Sequence, residues 1–312
     1  MKLYKAAPPG VALLCLLALL LLPDVGAQAA QEALVLCAQS VIPSLFPFFV
    51  LSSLLVSCGA GALLAALLSP LMRPLFGLSG AGAAALAMGL CGGYPVGARM
   101  CAELTAAGAL DRAEGDRLLS FCNNAGPGFL LGICGGAVFH SPRAGAALYL
   151  IHAAAALFSG MLICRRLPPL RRISVRPGTS AGPDFASAFS AAVQGALRGI
   201  LSVCAFLVFF TVLARLLLHF LPPAAAQPLP RALLLGTLEL TSGVLALPDT
   251  RAGFLACAAL LGWGGASVHC QTLSVLSGSG LSTRFYWRGK LMQSALSVLL
   301  ALPALPVLFP QP

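Results

Sequence analysis

From residue 9 to residue 309 the chain is a succession of apolar runs separated by short polar breaks: 9–23, 33–57, 60–76, 81–101, 118–139, 145–164, 199–221, 230–247, 252–277 and 290–309. An apolar run of about 20 residues crosses the ~30 Å hydrocarbon core of a bilayer as a helix, whose backbone hydrogen bonds are all internal. Strands of an outer-membrane barrel would instead give ~10-residue segments of alternating polarity. The pattern therefore predicts an all-α polytopic membrane protein with the lipid bilayer as its surroundings and a multi-pass place in the cell membrane. Composition agrees, with 59% hydrophobic and 9% charged residues against about 25% charged in soluble domains.

The net charge of +10 is scattered, as the positive-inside bias of membrane loops requires, and implies no nucleic acid. One cluster stands out. RRLPPLRRISVRP, residues 165–177, carries five arginines and marks 165–184 as a basic cytoplasmic linker lying near anionic headgroups. The 11 cysteines are dispersed with no CxxC pair, so neither a disulfide framework nor a zinc site is expected. The start, MKLYKAAPPGVALLCLLALLLLPDVGAQA, has the outline of a signal peptide. It is read here as a retained first helix within residues 1–32, because the rest of the chain is polytopic. No HExxH, Walker motif or nucleophile with its base is present, and no two acidic residues share one apolar segment. An enzyme is not expected, nor a cofactor or bound metal.

The linker separates two halves, 33–164 and 185–312, that repeat one order of features. A long apolar helix comes first, VIPSLFPFFVLSSLL (41–55) and GILSVCAFLVFFTVLARLL (199–217). A short interrupted segment follows, GLCGGYPVGA (89–98) and GTLELTSGVLAL (236–247). A span broken by glycines and amides closes each half, FCNNAGPGFLLG (121–132) and LLGWGGASVHCQTL (260–273). Broken segments at membrane depth survive only where protein or a wet cavity covers the freed backbone. Broken helices in corresponding positions of two halves point to a transporter site at the midplane. The fold expected is two internally repeated halves with re-entrant or discontinuous helices.

The candidate site residues lie at these breaks. Glu239 is the sharpest: a carboxylate at the bilayer centre costs about 2.5–3.5 kcal/mol on insertion scales, so it needs a partner, a proton or a wet cavity. It either binds solute or ion, with Thr241 beside it, or is a structural carboxylate that caps a helix start or pairs with an arginine. Gly92, Gly93, Tyr94 and Pro95 suit a hairpin tip whose freed N–H groups face a ligand, or a close helix-packing site. Asn123, Asn124, Gly126 and Pro127 open a span; the amides either meet an uncharged polar solute or repair the broken backbone. Trp263, Gly264, Gly265, His269 and Gln271 hold the matching place in the second half, where His269 is a packed histidine or a second polar lining group. GALDRAEGDRLL (108–119) reads as a solvated connector with Asp111 starting a helix.

VIPSLFPFFVLSSLL, GGYPVGARM, FCNNAGPGFLLG, GTLELTSG and GWGGASVHCQ together resemble the sporulation integral membrane proteins of the YlbJ type, which carry two nucleoside-recognition Gate domains. The resemblance runs over about residues 10–300. It implies an inner-membrane or forespore-membrane protein of endospore-forming, Firmicutes-like bacteria, involved in forming the spore cortex. It also implies a retained first helix. Gate domains occur in concentrative nucleoside transporters and in ferrous-iron transport proteins, so the resemblance implies a transport path. The chain has neither a recognisable nucleoside-transporter substrate motif beyond the Gate-like helices nor the GTPase domain of the iron transporters, so a nucleoside or metal-ion cargo does not follow. The expectation is a secondary transporter of a small polar solute, with Glu239 coupling charge to solute binding. A non-transporting scaffold for cortex or envelope assembly is one alternative, and a nucleoside or metal-ion permease is another. Association with identical copies is compatible with either.

Overall fold

The computed structural model describes residues 2–57, 60–168, 184–220 and 227–310. Among these the regular structure is helical throughout, with no strand. Five helices are long and apolar enough to cross a membrane: Pro23–Leu51, Pro142–Arg165, Phe185–His219, Arg251–Leu276 and Arg284–Leu308. Their outer faces carry exposed Leu34, Leu150, Leu201, Leu291, Leu299 and Val307, an apolar surface that only hydrocarbon could solvate at this extent. The protein is thus a multi-pass membrane protein. The basic linker lies outside the described residues except at its ends.

The helices begin and end where local chemistry dictates. α1 (Lys2–Leu21) stops before Pro23, which opens α2 (Pro23–Leu36) from the first turn, the helix position where its missing N–H costs nothing. α2 runs through a π-turn (Cys37–Val41) into α3 (Ile42–Ser57), and α4 (Ala60–Phe76) follows. α5 (Ala83–Gly92) and α6 (Val96–Ala106) are short, as is α7 (Arg112–Leu118), which Asp111 caps by accepting from Glu114 N at 2.7 Å. Residues 119–126 are non-helical and lead into a π-helix, Gly128–Val138. α8 (Pro142–Arg165) is capped by Ser141, and α9 (Phe185–His219) by Asp184. α10 (Pro228–Leu238), α11 (Leu240–Leu245), α12 (Arg251–Trp263), α13 (Gly265–Leu276) and α14 (Arg284–Ala301) complete the main helices.

Two of the apolar runs differ from the simple spans that hydropathy gives. Run 118–139 is an irregular stretch followed by a π-helix. Run 290–309 begins earlier, at Arg284, because RFYWRGK is helical and not a charged flank. One buried cluster joins α3, the π-helix, α8, α9 and α10–α13 around Phe129, Leu130, Phe254 and Leu261. A second fills the space between α4–α7 and α14, with Phe76 stacked on Phe121 at 4.4 Å.

Candidate functional site

The two short interrupted segments each fold back on themselves. A Cβ on Gly97 of α6 would lie 2.9 Å from Gly89 Cα of α5, and a Cβ on Gly243 of α11 would lie 2.1 Å from Gly236 Cα of α10. Both pairs are hairpins closed at the neck by glycine, the only residue that admits so close an approach. The first tip is Gly93-Tyr94-Pro95, with Gly93 at φ 77°. The second tip is Glu239.

The stretch FCNNAGPG passes over the first hairpin. Cys122 O would meet a Cβ on Gly89 at 1.6 Å and on Gly97 at 1.9 Å, and Gly93 and Gly126 cross with a Cβ of either within 3.0 Å of the other's backbone. At the second tip Glu239 is 3% exposed and caps α11. Its carboxylate accepts from Thr241 N at 3.1 Å and from Ser242 N at 2.6 Å, with the Ser267 hydroxyl at 3.5 Å. No cationic side chain pairs with it among the described residues, whose one salt bridge joins Arg215 to Glu32.

The two tips meet at a cavity of about 60 Å³, room for roughly four waters at about 15 Å³ each on this measure. Gly92, Gly93, Tyr94, Gly126, Glu239, Thr241 and Gln271, drawn from both halves, all line it, with Phe48, Phe49, Phe129 and Val203. Two further cavities touch α9. One of about 210 Å³ includes Pro95, Arg99, Glu103, Gly195 and Gly199 and shares Phe49, Gly92 and Tyr94 with the first. The other, of about 420 Å³, includes Glu32, Thr211, Arg215, Arg231 and Ser242. On α9 the three cavities follow one another at Gly195–Gly199, Val203 and Thr211–Arg215. The 20 helical steps from Gly195 to Arg215 rise about 30 Å, close to the thickness of the hydrocarbon core.

Asn123 and Asn124 lie outside the lining of these cavities. Both are wholly buried, in a polar network centred on Lys290 of α14. Lys290 Nζ donates to Asn123 O at 2.5 Å and to Gln293 Oε1 at 2.9 Å, stands 3.5 Å from Tyr94 Oη, and is 5.1 Å from the centre of the Tyr94 ring. Gln293 Nε2 donates to Asn124 Oδ1 at 2.9 Å, Asn123 Nδ2 donates to Thr272 Oγ1 at 2.8 Å, and His152 Nε2 accepts from Ala125 N at 3.1 Å. The amides therefore hold the non-helical stretch to α13 and α14. His269 is packed, with Nδ1 2.7 Å from Tyr286 Oη and its ring 4.4 Å from Trp263. Gly264, at φ 96°, lies close to the Tyr94 hydroxyl, and a Cβ on Gly265 would reach Leu240 N at 3.0 Å, so this break seats both tips. Pro127 precedes the π-helix as its first cap.

Lys290, Gln293, His152 and Tyr286 were not expected from the sequence. A signal for three of them exists: Tyr286, Lys290, Gln293 and Ser297 recur at spacings of four, three and four, one polar stripe on α14, and all are fully buried while Leu291 opposite is exposed.

Comparison with known proteins places these features in a class and then beside a particular relative. Residues 38–164, the stretch that holds the first hairpin and the FCNNAGPG crossing, match the Gate family, described as nucleoside recognition. The chain is also similar to the sporulation integral membrane protein YlbJ of Bacillus subtilis (strain 168), with 29% identity over 311 residues, covering 87% of this chain and 75% of that protein. The motif resemblance to YlbJ-type proteins with a Gate domain therefore holds. No solved structure matches.

Proposed function

We propose that this is a sporulation membrane protein that carries a small polar solute across the membrane by exposing the cavity between its two hairpin tips alternately to either side. The observation that carries this reading is the series of three cavities along α9, with both tips at the middle one. A scaffold needs no such series; a carrier needs a site near the midplane with a barrier on each side. The two hairpins, one from each half, suit an alternating exchange of barriers, and the like order of broken segments supports an internal repeat. Glu239 is the charge-coupling group, since a buried carboxylate without a cationic partner favours a proton or a bound cation. The sporulation role and a contribution to cortex formation rest on the likeness to YlbJ.

Purified protein in proteoliposomes, tested with nucleosides, small acids, amines and metal ions, should give saturable flux of at least one class. Glu239→Gln should lower that flux by about tenfold or more. Absence of flux across the whole panel, with Glu239→Gln supporting normal spores, would favour the scaffold.

A further inference from the structure

The central cavity and the cavity at Arg99 and Glu103 touch through three shared lining residues, Phe49, Gly92 and Tyr94. Gly92 has no side chain to block a passage. Tyr94 is 8% exposed, sits at the turn of the hairpin, and is fastened twice from the other half of the chain. Its hydroxyl donates to Leu261 O of α12 at 3.1 Å, and its ring and oxygen stand against the Lys290 ammonium of α14. The same ammonium grips Asn123 O and, through Gln293, Asn124, which belong to the stretch crossing the tip.

We propose that the Tyr94 side chain is the barrier between these two cavities and that Lys290 is the positioning residue that latches it shut. The proposal deepens the transport reading by assigning one of its two barriers. The hydroxyl bond to Leu261 O and the contact of the ring with Lys290 Nζ both hold one phenol, so the closed position is held from outside the hairpin. Letting go needs only the tip to move, since the glycines at Gly93 and Gly126 leave no side chain in its way. When Tyr94 swings aside, the Arg99–Glu103 cavity and the central cavity become one.

Cys91 lines the central cavity and reports on access to it, while Cys257 is fully buried in the core and reports on folding. A small charged methanethiosulfonate is applied to right-side-out and to inverted membrane vesicles, and modification at each cysteine is read by mass spectrometry. Tyr94→Leu and Lys290→Met should each raise the rate at Cys91 by about tenfold, from one side of the membrane only, with Cys257 still protected. Tyr94→Phe, which keeps the ring over Lys290 and loses the bond to Leu261, should fall between them and the wild type. An unchanged rate at Cys91 in Tyr94→Leu, or a rise equal from both sides, overturns the proposal. Should Lys290→Met also expose Cys257, the one-sided result of Tyr94→Leu and Tyr94→Phe decides. Failure of transport is a separate result: one-sided opening without flux of any solute leaves the barrier standing and removes the carrier, and flux with an unresponsive Cys91 does the reverse.

Discussion

The two hairpin tips line one cavity but are held by different means. The α10/α11 tip supplies its own carboxylate, and Glu239 satisfies the amides of Thr241 and Ser242 on the helix that it begins. The α5/α6 tip has no carboxylate; besides its own backbone bonds from Val96 N to Gly93 O and from Arg99 N to Pro95 O, its side-chain contacts come from α12, α14 and the FCNNAGPG stretch. Each tip also stands between cavities. Tyr94 belongs to the linings of two, and consecutive residues Thr241 and Ser242 face the central cavity and the Arg215 cavity respectively. A tip that closes on itself can stay folded while its surroundings shift. A tip whose side chain is held by others is released when they let go. On the proposed transport reading the first tip is the more mobile barrier and the second the more rigid one.

The largest expected effect tests what the tips share. Both necks are closed on glycine, and a Cβ at Gly97 or Gly243 would lie 1.9 Å from Cys122 O or 2.1 Å from Gly236 Cα. Gly97→Ala and Gly243→Ala should each destabilise by about 3 kcal/mol or more, read as loss of monodisperse protein after extraction. Normal yield from Gly97→Ala alone would mean that the first hairpin opens to accept a methyl group, which sharpens the contrast in mobility. Normal yield from Gly243→Ala would remove it.

Glu239→Ala comes next. It strips two backbone donors of their acceptor, the loss of a helix cap, and should lower stability by about 1–2 kcal/mol in a thermal or denaturant titration. Glu239→Gln keeps an acceptor oxygen and should cost about half as much, so a strong flux defect in the Gln variant with near-normal stability isolates the charge from the cap. Equal losses of stability and flux in both variants would reduce Glu239 to a cap.

Much of this was legible in the sequence, and the parts that were not share a cause. The apolar runs, the breaks at Gly93–Pro95, Glu239 and Gly264, and the meeting of Tyr94, Glu239 and Gln271 all follow from residues that break helices or resist lipid. What hydropathy concealed is polarity that runs along one side of a helix. Lys290 sits among Arg284, Arg288 and aromatic residues that read as an interfacial flank, although its own side faces the protein interior. The two asparagines announced a break but not its neighbours, because Thr272 and Gln293 are about 150 or more residues away. His152, alone in an alanine-rich helix, carried no pattern.

The smallest effect is the most discriminating for the second tip. The Ser267 hydroxyl of α13 stands 3.5 Å from Glu239 Oε1, against 2.6 Å for Ser242 N, and hydrogen bonds weaken steeply at such lengths. If the tip depends on its own helix, Ser267→Ala should cost no more than about 0.5 kcal/mol and leave flux within about twofold of the wild type. A loss as large as that of Glu239→Ala would mean that α13 holds this tip much as α14 holds the other. The two barriers would then be alike in construction, and the greater mobility assigned to Tyr94 would lose its physical basis.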